Sequence, residues 1–404
     1  MKTKVISLVL ASMLMIPIFT SCSKDDEPVN IRLSENQQII AKNANEFAFE
    51  EFKAANTDSA NILVAPFSTQ ATLSMLANGA RGETLNEILK ALNVTSVSDL
   101  NNYYKTVTSG LLNADKKVSI NFANGLWTAS TLTPKEEFTK SLNDYYGAKA
   151  ASIDFTSSDA LKTINDWVSN ATGGRISKLL AAIDSETQAC IVNAIAFEGG
   201  WKERFDAKDT KESTFRNVNN ETESCMMMKG KVSAGISVTD YAELLELRYG
   251  NGSFAFDIIQ PRGDKDINEF ISTLSLDKIN EVFEHVNKYG PTSSKVRVPK
   301  FEATYSYELS KRLMALGVNK IFGAADFGGI ADKKMVVNQY MQQLRIKVDE
   351  EGTKVATSTE VVIGNTAMVG DEFIVDSPFI YLVRERSTGA ILLIGKVQTM
   401  AGMQ

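Results

Sequence analysis

Apolar positions recur along this chain with two different periods, and the switches between them mark its elements. From Ser34 to Asn56 the residues Ile40, Ala44, Phe47, Ala48 and Phe52 follow the spacing of one buried helical face. Asn61 to Ala65 is a short apolar run that predicts a strand. Pro66 then opens a helix at its first turn, carried by Thr69 to Leu76 and ended by Gly79 and Gly82. Thr84 to Leu92 predicts the next helix, and residues 99–112, 134–146 and 158–172 predict three more, the last stopped by Gly173-Gly174. Residues 118–129 read as a strand interrupted near Gly125. Residues 188–197 are apolar at nearly every position, the pattern of a central strand covered on both faces.

Downstream, Phe215 to Asp257 predicts short strands joined by turns. Ile267 to Val286 predicts one helix, which holds the only histidine, His285. Residues 296–302 predict a strand, 306–316 a helix, and Met341 to Val348 a strand. The chain closes on a hairpin from Phe379 to Val397 that turns at Ser387-Thr388-Gly389. Helices and strands mix without regular βαβ alternation, which argues an α+β fold. No repeat, linker or low-complexity tract divides the chain after about residue 35, so one domain over 34–404 is expected.

One stretch does not fit either a plain strand or a plain loop. After Gly352, the residues Thr353, Val355, Thr357, Thr359, Val361 and Ile363 fall on one face at period two. Lys354, Ala356, Ser358, Glu360 and Val362 fall on the other, which carries both charges. This is the alternation of a strand with one buried face. It runs straight into Gly364-Asn365-Thr366-Ala367-Met368-Val369-Gly370, which reads as irregular and exposed.

Composition narrows the function classes. The chain has 404 residues, is 44% hydrophobic and carries a net charge of −6, so it can bury a large core but offers no basic face to nucleic acid. Lys2 and Lys4 precede an apolar run from Val5 to Phe19, too short for a comfortable membrane span, and then Thr20-Ser21-Cys22. Residues 1–21 are therefore expected to be a signal peptide. The small residues before Cys22 resemble a bacterial lipobox, which implies lipidation of Cys22 and a solvated tether over 22–33. Surface exposure on a bacterial outer membrane is the expected localisation, with plain secretion after cleavage near Cys22 as the alternative. Cys190 and Cys225 read as small buried hydrophobes, and their spacing supports no disulfide. An enzyme is not expected. A lone helical histidine, no Gly-x-Ser-x-Gly elbow, no Cys-x-x-Cys and no phosphate loop leave no catalytic set. Asp326 and Asp332 lack the spacing of an oxygen-ligand loop, and Met226–Met228 reads as core filler, so neither a metal nor a cofactor is expected.

Several longer segments carry a resemblance. Glu350-Glu351-Gly352-Thr353, followed by small residues, resembles the hinge of a serpin reactive-centre loop. NILVAPFSTQATLSMLANGARGETLNEILKAL (61–92), QACIVNAIAFEGGW (188–201), VRVPKFEATYSYELSKRLMALGVNKIF (296–322) and SPFIYLVRERSTGAILLIGKV (377–397) also resemble the family, in its order. The resemblance implies a serpin fold with three β-sheets, about nine helices and an exposed reactive-centre loop. It implies a monomeric suicide inhibitor that traps serine proteases covalently, with cysteine proteases as a second class. A non-inhibitory serpin acting as a surface binding protein is the alternative, and the uncharged inward row of the hinge favours the inhibitor.

The resemblance also assigns positions. Glu350, Glu351, Gly352, Thr353, Val355, Thr357 and Thr359 match the hinge. Ser68, Asn193 and Gln342 match the shutter, where the family usually has histidine in place of Gln342 and serine in place of Ala65. Trp201, Lys300 and Glu350 match the breach. Counting from the hinge glycine puts the bait bond at Thr366–Ala367, and counting back from Pro378-Phe379 puts it at Ala367–Met368. Neither count brings an arginine or lysine near the bond, so elastase-like or subtilisin-like targets are expected.

Overall fold

In the computed structural model, which describes residues 27–57, 60–263, 265–353 and 372–403, the first helix begins where a sequence signal says it should. Ser34 and Gln37 form a reciprocal capping box at the start of α1 (Glu35–Ala55). β1 (Ile62–Val64) leads into α2 (Pro66–Gly79), where proline sits in the first turn and needs no N–H partner. Every residue of α2 except Asn78 is buried, so this helix lies inside the molecule. α3 (Gly82–Ala91) and α4 (Val97–Asn113) follow, then β2 (Val118–Ala129), α5 (Glu136–Tyr146), β3 (Lys149–Ile153), α6 (Ala160–Ala171) and β4 (Ala189–Gly200).

The central part is mostly sheet: β5 (Lys211–Arg216), β6 (Thr222–Val238), β7 (Ala242–Arg248) and β8 (Phe254–Pro261). Next come α7 (Ile267–Ser272), α8 (Leu276–Tyr289), β9 (Thr292–Pro299), β10 (Phe301–Glu308) and α9 (Ser310–Ala315). The last strands are β11 (Gln339–Asp349), β12 (Gly352–Thr353), β13 (Phe373–Ile374), β14 (Phe379–Glu385) and β15 (Ile391–Val397).

Among the described residues these strands form two hydrogen-bonded sheets. The six-stranded one has the order β10-β11-β12-β4-β2-β3. The nine-stranded one runs β1-β15-β14-β8-β7-β6-β9-β13, with β5 attached to β6. The three sheets expected from the family run as two because β6 belongs to both halves of the larger system. Its early residues pair with β5 and β9, and Ala234 to Val238 pair with β7.

Burial along β4 alternates between two cores. Ile191 and Ile195 pack into the cluster that holds α2, while Cys190, Val192 and Ala194 pack with Ile164 and Val168 of α6. The nearly all-apolar run thus becomes a central strand, as its pattern predicts.

Four sequence expectations change. β2 is continuous, because the Trp167 ring lies where a Cβ on Gly125 would be, 2.9 Å away. That glycine admits α6 instead of breaking the strand. β6 has 17 residues, and its Gly230 and Gly235 sit under Phe205 and Val286 instead of making turns. The helix expected over Ile267–Val286 splits into α7 and α8, where the Ser275 hydroxyl caps the second by accepting from Lys278 N–H. Strand structure extends through Glu308, so the last predicted helix shrinks to Ser310–Ala315.

The residues weighed for chemistry take structural places. His285 is exposed, with its ring 4.6 Å from that of Tyr289. Cys190 and Cys225 are buried and unbonded to each other. Asp332 pairs with Lys135 at 2.7 Å, and Asp326 accepts from Gly328 N–H within its own loop. Among the described residues, no group of three or more His, Cys, Asp or Glu is placed to hold a metal, and no helix is long and apolar enough to cross a membrane.

Candidate functional site

Three amides stand in register across the middle of the six-stranded sheet. Asn124 on β2 is opposite Asn193 on β4, and Asn193 is opposite Gln342 on β11. All three lie on the rows that face α2, between apolar neighbours such as Ile191, Ile195, Tyr340 and Leu344. Asn193 Nδ2 donates to Asn124 Oδ1 at 2.6 Å, and Gln342 Nε2 donates to Asn193 Oδ1 at 3.1 Å. Asn193 also donates to the Ser68 carbonyl and the Thr72 hydroxyl, both at 3.3 Å. Ser68 therefore joins through its backbone, and its hydroxyl has no protein partner. Buried polar groups persist only when bonded, so this row ties the three strands to one another and to the buried helix.

The network continues to a buried acid. Gln342 Nε2 lies 3.4 Å from the Thr69 hydroxyl, which donates to Glu51 Oε1 at 2.9 Å. Glu51 is fully buried on α1, and its nearest cation, Arg312, is 3.9 Å away. Burial pushes the Glu51 carboxyl up to about 7, against the opposing pull of Arg312 and the Thr69 hydroxyl. A carboxyl whose folded pKa is raised contributes stability that is complete below its unfolded pKa and lost as pH rises through about 7. Glu51→Gln keeps the neutral shape at all pH values. It is expected to stabilise the protein by on the order of 3 kcal/mol at pH 8 and by less than about 1 kcal/mol at pH 5. Denaturant melts at the two pH values check this, and an equal gap at both would refute it.

At the far end of the same sheet the chain doubles back. After β11, Glu350 and Glu351 turn it so that β12 lies between β11 and β4. Thr353 is opposite Val348 and Gly199, and Gly352 is opposite Asp349 and Gly200. Gly352 has φ +148°, and a Cβ there would lie 2.1 Å from the Gly199 carbonyl oxygen. No other residue fits without moving a strand. Trp201 fixes the turn: its backbone N–H donates to Glu351 O and its indole N–H to Asp349 O, each at 2.8 Å. The indole stacks on Tyr249 at 4.8 Å, and the Tyr249 hydroxyl is 2.6 Å from the buried Thr353 hydroxyl. Lys300 Nζ meets Glu350 Oε2 at 2.9 Å. Burial is the largest single influence and would raise the Glu350 carboxyl, but the hydrogen bond and charge of Lys300 together with the further hydrogen bonds to the carboxylate outweigh it and hold the group below the usual range.

Between the amide row and this turn, β4 and β11 part. Their direct parallel ladder ends at Gln343 opposite Ala194. Beyond it Ile195, Phe197, Glu198, Arg345 and Lys347 line a narrow cleft of about 30 Å³. Arg175, just past α6, closes one side by pairing with Glu198 at 2.6 Å and donating to Asn121 Oδ1 at 3.0 Å. Among the described residues, β4 and β11 are thus laced together at the amide row, wedged apart by two residues at the turn, and not paired with each other between.

A family model described as Serpin (serine protease inhibitor) matches residues 42–400. The chain belongs to the serpin family. It is 31% identical to the leukocyte elastase inhibitor of Sus scrofa over 378 residues, covering 90% of this chain and 100% of that one. The crystal structure of the thermophilic serpin tengpin in its native state superposes with a TM-score of 0.81 at 28% identity, covering 92% of this chain and 100% of that one. That of Serpin48 from the insect Tenebrio molitor gives 0.79 at 29% identity, covering 91% and 100%.

Of the positions that the serpin resemblance singles out, Ser68, Asn193 and Gln342 meet under the sheet, and Trp201, Lys300 and Glu350 meet at the turn. Glu350 to Thr353 form the turn and the wedge. Val355, Thr357, Thr359, both candidate bait bonds over 366–368, and Cys22 lie outside the described residues. Sequence reading missed Asn124, Thr69, Glu51 and Tyr249. Asn124 had a signal, as the one amide on the inward row of Ile120, Phe122 and Leu126. Glu51 had one too, as a charge beside Phe52 on the buried face of α1. Nothing near Tyr249 announced it.

Proposed function

We propose that this serpin inhibits serine proteases of the elastase or subtilisin type by offering residues 354–371 as bait and drawing the cut end into its six-stranded sheet. The observation that carries the reading is the wedge. Gly352 and Thr353 already pair with both β11 and β4, and directly ahead of them the two strands have no ladder between them. A strand continuing from Thr353 would meet donors and acceptors on both sides. The acyl-enzyme formed at the cut bond would be carried with it and deformed before water releases it. The leukocyte elastase inhibitors among its relatives support the same class of target. Cysteine proteases, which pass through an analogous acyl-enzyme, are a second class.

The bait bond follows the hinge count, Thr366–Ala367, because the length of the inserted strand sets how far the protease travels. The residues from Ile363 to Met368 are small, polar or apolar and uncharged. A pocket built around a buried aspartate finds no cation there and loses several kcal/mol of transition-state binding. Rapid formation of an SDS-stable complex with elastase-like or subtilisin-like proteases is expected, and none with trypsin. Mass spectrometry of the released C-terminal fragment identifies the bond, with Ala367 as its first residue; Met368 would favour Ala367–Met368 instead. Efficient trapping of trypsin would overturn the specificity. The same reading takes residues 1–21 as removed on export and Cys22 as the lipid anchor that holds a monomeric inhibitor at the bacterial surface.

A further inference from the structure

The solvent face of β6 and β9 sets like charges against each other. Lys229 is directly opposite Arg297, and Lys231 is directly opposite Lys295. Directly opposed side chains have Cβ atoms about 4.5–5.5 Å apart, and like charges there weaken a sheet. Glu372 relieves the first pair, with Oε2 2.6 Å from Arg297 Nη2 and Oε1 3.6 Å from Lys229 Nζ. Lys231 and Lys295 are both exposed, and no carboxylate among the described residues pairs with either. Lys211 on β5 adds a cation to the same shallow groove of about 730 Å³. Its acids besides Glu372 are Asp209 and Glu212, and Glu212 already accepts from the Ser224 hydroxyl at 2.6 Å. This array stands on a chain whose net charge is −6.

The array also lies a short length of chain from the proposed bait bond. β13, directly after Glu372, pairs with β9 at Val296 and Arg297. Thr366 is six residues before Glu372, a reach of about 20 Å at most when extended. A protease holding that bond is therefore tethered close enough to lay part of its surface over Lys231 and Lys295.

We infer that the face formed by Lys229, Lys231, Lys295 and Arg297 is a docking surface for an acidic patch on the attacked protease, one that selects among enzymes with the same pocket. The inference rests on the inhibitory reading above. Exposed complementary charges act on encounter, raising association rates in a salt-dependent way. The energy that the opposed lysines cost the free sheet is relieved when an anionic surface covers them.

The test is the second-order rate of inhibition by the full chain and by its Lys231→Glu/Lys295→Glu variant. Two elastase-like proteases are used, one with an acidic surface and one with a basic surface, at about 20 and 300 mM salt. The variant is expected to react about ten-fold more slowly with the acidic enzyme at low salt and faster with the basic one, the differences fading at high salt. Its melting temperature should stay close to that of the wild type, since one directly opposed like-charge pair replaces another, and its stoichiometry of inhibition should not change. Unchanged rates for both enzymes would overturn the docking surface while leaving the inhibitor intact. Unchanged rates together with retention of the wild type, but not the variant, on dextran sulfate would assign the face to a polyanion instead. Failure of the wild type to trap either enzyme would overturn the inhibitory reading itself, and the docking surface with it.

Discussion

A single cut between Gly364 and Met368 is expected to raise the melting temperature of this serpin by about 10 °C or more. Among the described residues of the intact chain, Gly352 and Thr353 bridge β4 and β11, and directly ahead of them these two strands are not paired with each other. Freed at one end, the segment after Thr353 can extend the wedge along the whole cleft. Unfolding entropy near 2.1 cal/mol/K per residue makes 10 °C worth roughly 8 kcal/mol for a chain of this size. A strand of about ten residues bonded on both sides makes about twenty ladder hydrogen bonds, each worth about 0.5–1.5 kcal/mol net. Side chains on the inward row add burial. A cut in an ordinary surface loop leaves stability unchanged or lowers it. Thermal melts of intact and elastase-nicked protein decide the matter, and superimposable curves would remove the insertion mechanism without touching the fold.

Charge placed on the inward row of the hinge should turn the inhibitor into a substrate. Thr357→Arg would carry an unpaired guanidinium into the sheet interior, at a cost of several kcal/mol. Each 1.4 kcal/mol added to the insertion barrier slows it about ten-fold, so hydrolysis of the acyl-enzyme overtakes insertion. The expected readout is loss of the SDS-stable complex, with complete cleavage of the serpin and active protease at the end. Ser358→Arg, one position along on the outward face, should keep most of the inhibition. Thr353→Arg is also expected to abolish trapping, but it is the less clean variant. Thr353 is 2% exposed and bonded to Tyr249, so that substitution disturbs the resting protein as well. Equal loss from Thr357→Arg and Ser358→Arg would contradict the alternation.

What the sequence displayed and what it hid follow from the range of the forces involved. Local signals were legible: the start of the first helix at Ser34, the proline that opens α2, the glycines after α6, and the nearly unbroken apolar run that makes β4 central. Glycine misled wherever its reason was tertiary. Gly125 read as a break and the stretch holding Gly230 and Gly235 as short strands joined by turns, yet each of these glycines is small because a side chain distant in sequence packs on it. Family resemblance located Asn193 and Gln342, whose bonding depends on strand register that one sequence does not display. Asn124 completes that row and was visible as an amide among inward apolar residues. Its meaning needed the pairing of β2 with β4. Glu51 was overlooked because a helical stripe is scored by its apolar members, and one acid within it changes that pattern little.

The C-terminal hairpin sets the order in which the chain can be finished. β14 and β15 are buried at every position, and they lie between β1 and β8 in the larger sheet. Ile62, near the start of the domain, pairs with Lys396, near its end. A ribosome delivers these residues last, so during synthesis β1 and β8 face a missing neighbour and the sheet stays open. Until Val397 has emerged, the polypeptide lacks the piece that locks its two edges together. In a chain exported as proposed above, that delay leaves the larger sheet unfinished until synthesis is nearly done. The topology itself then works as a timer.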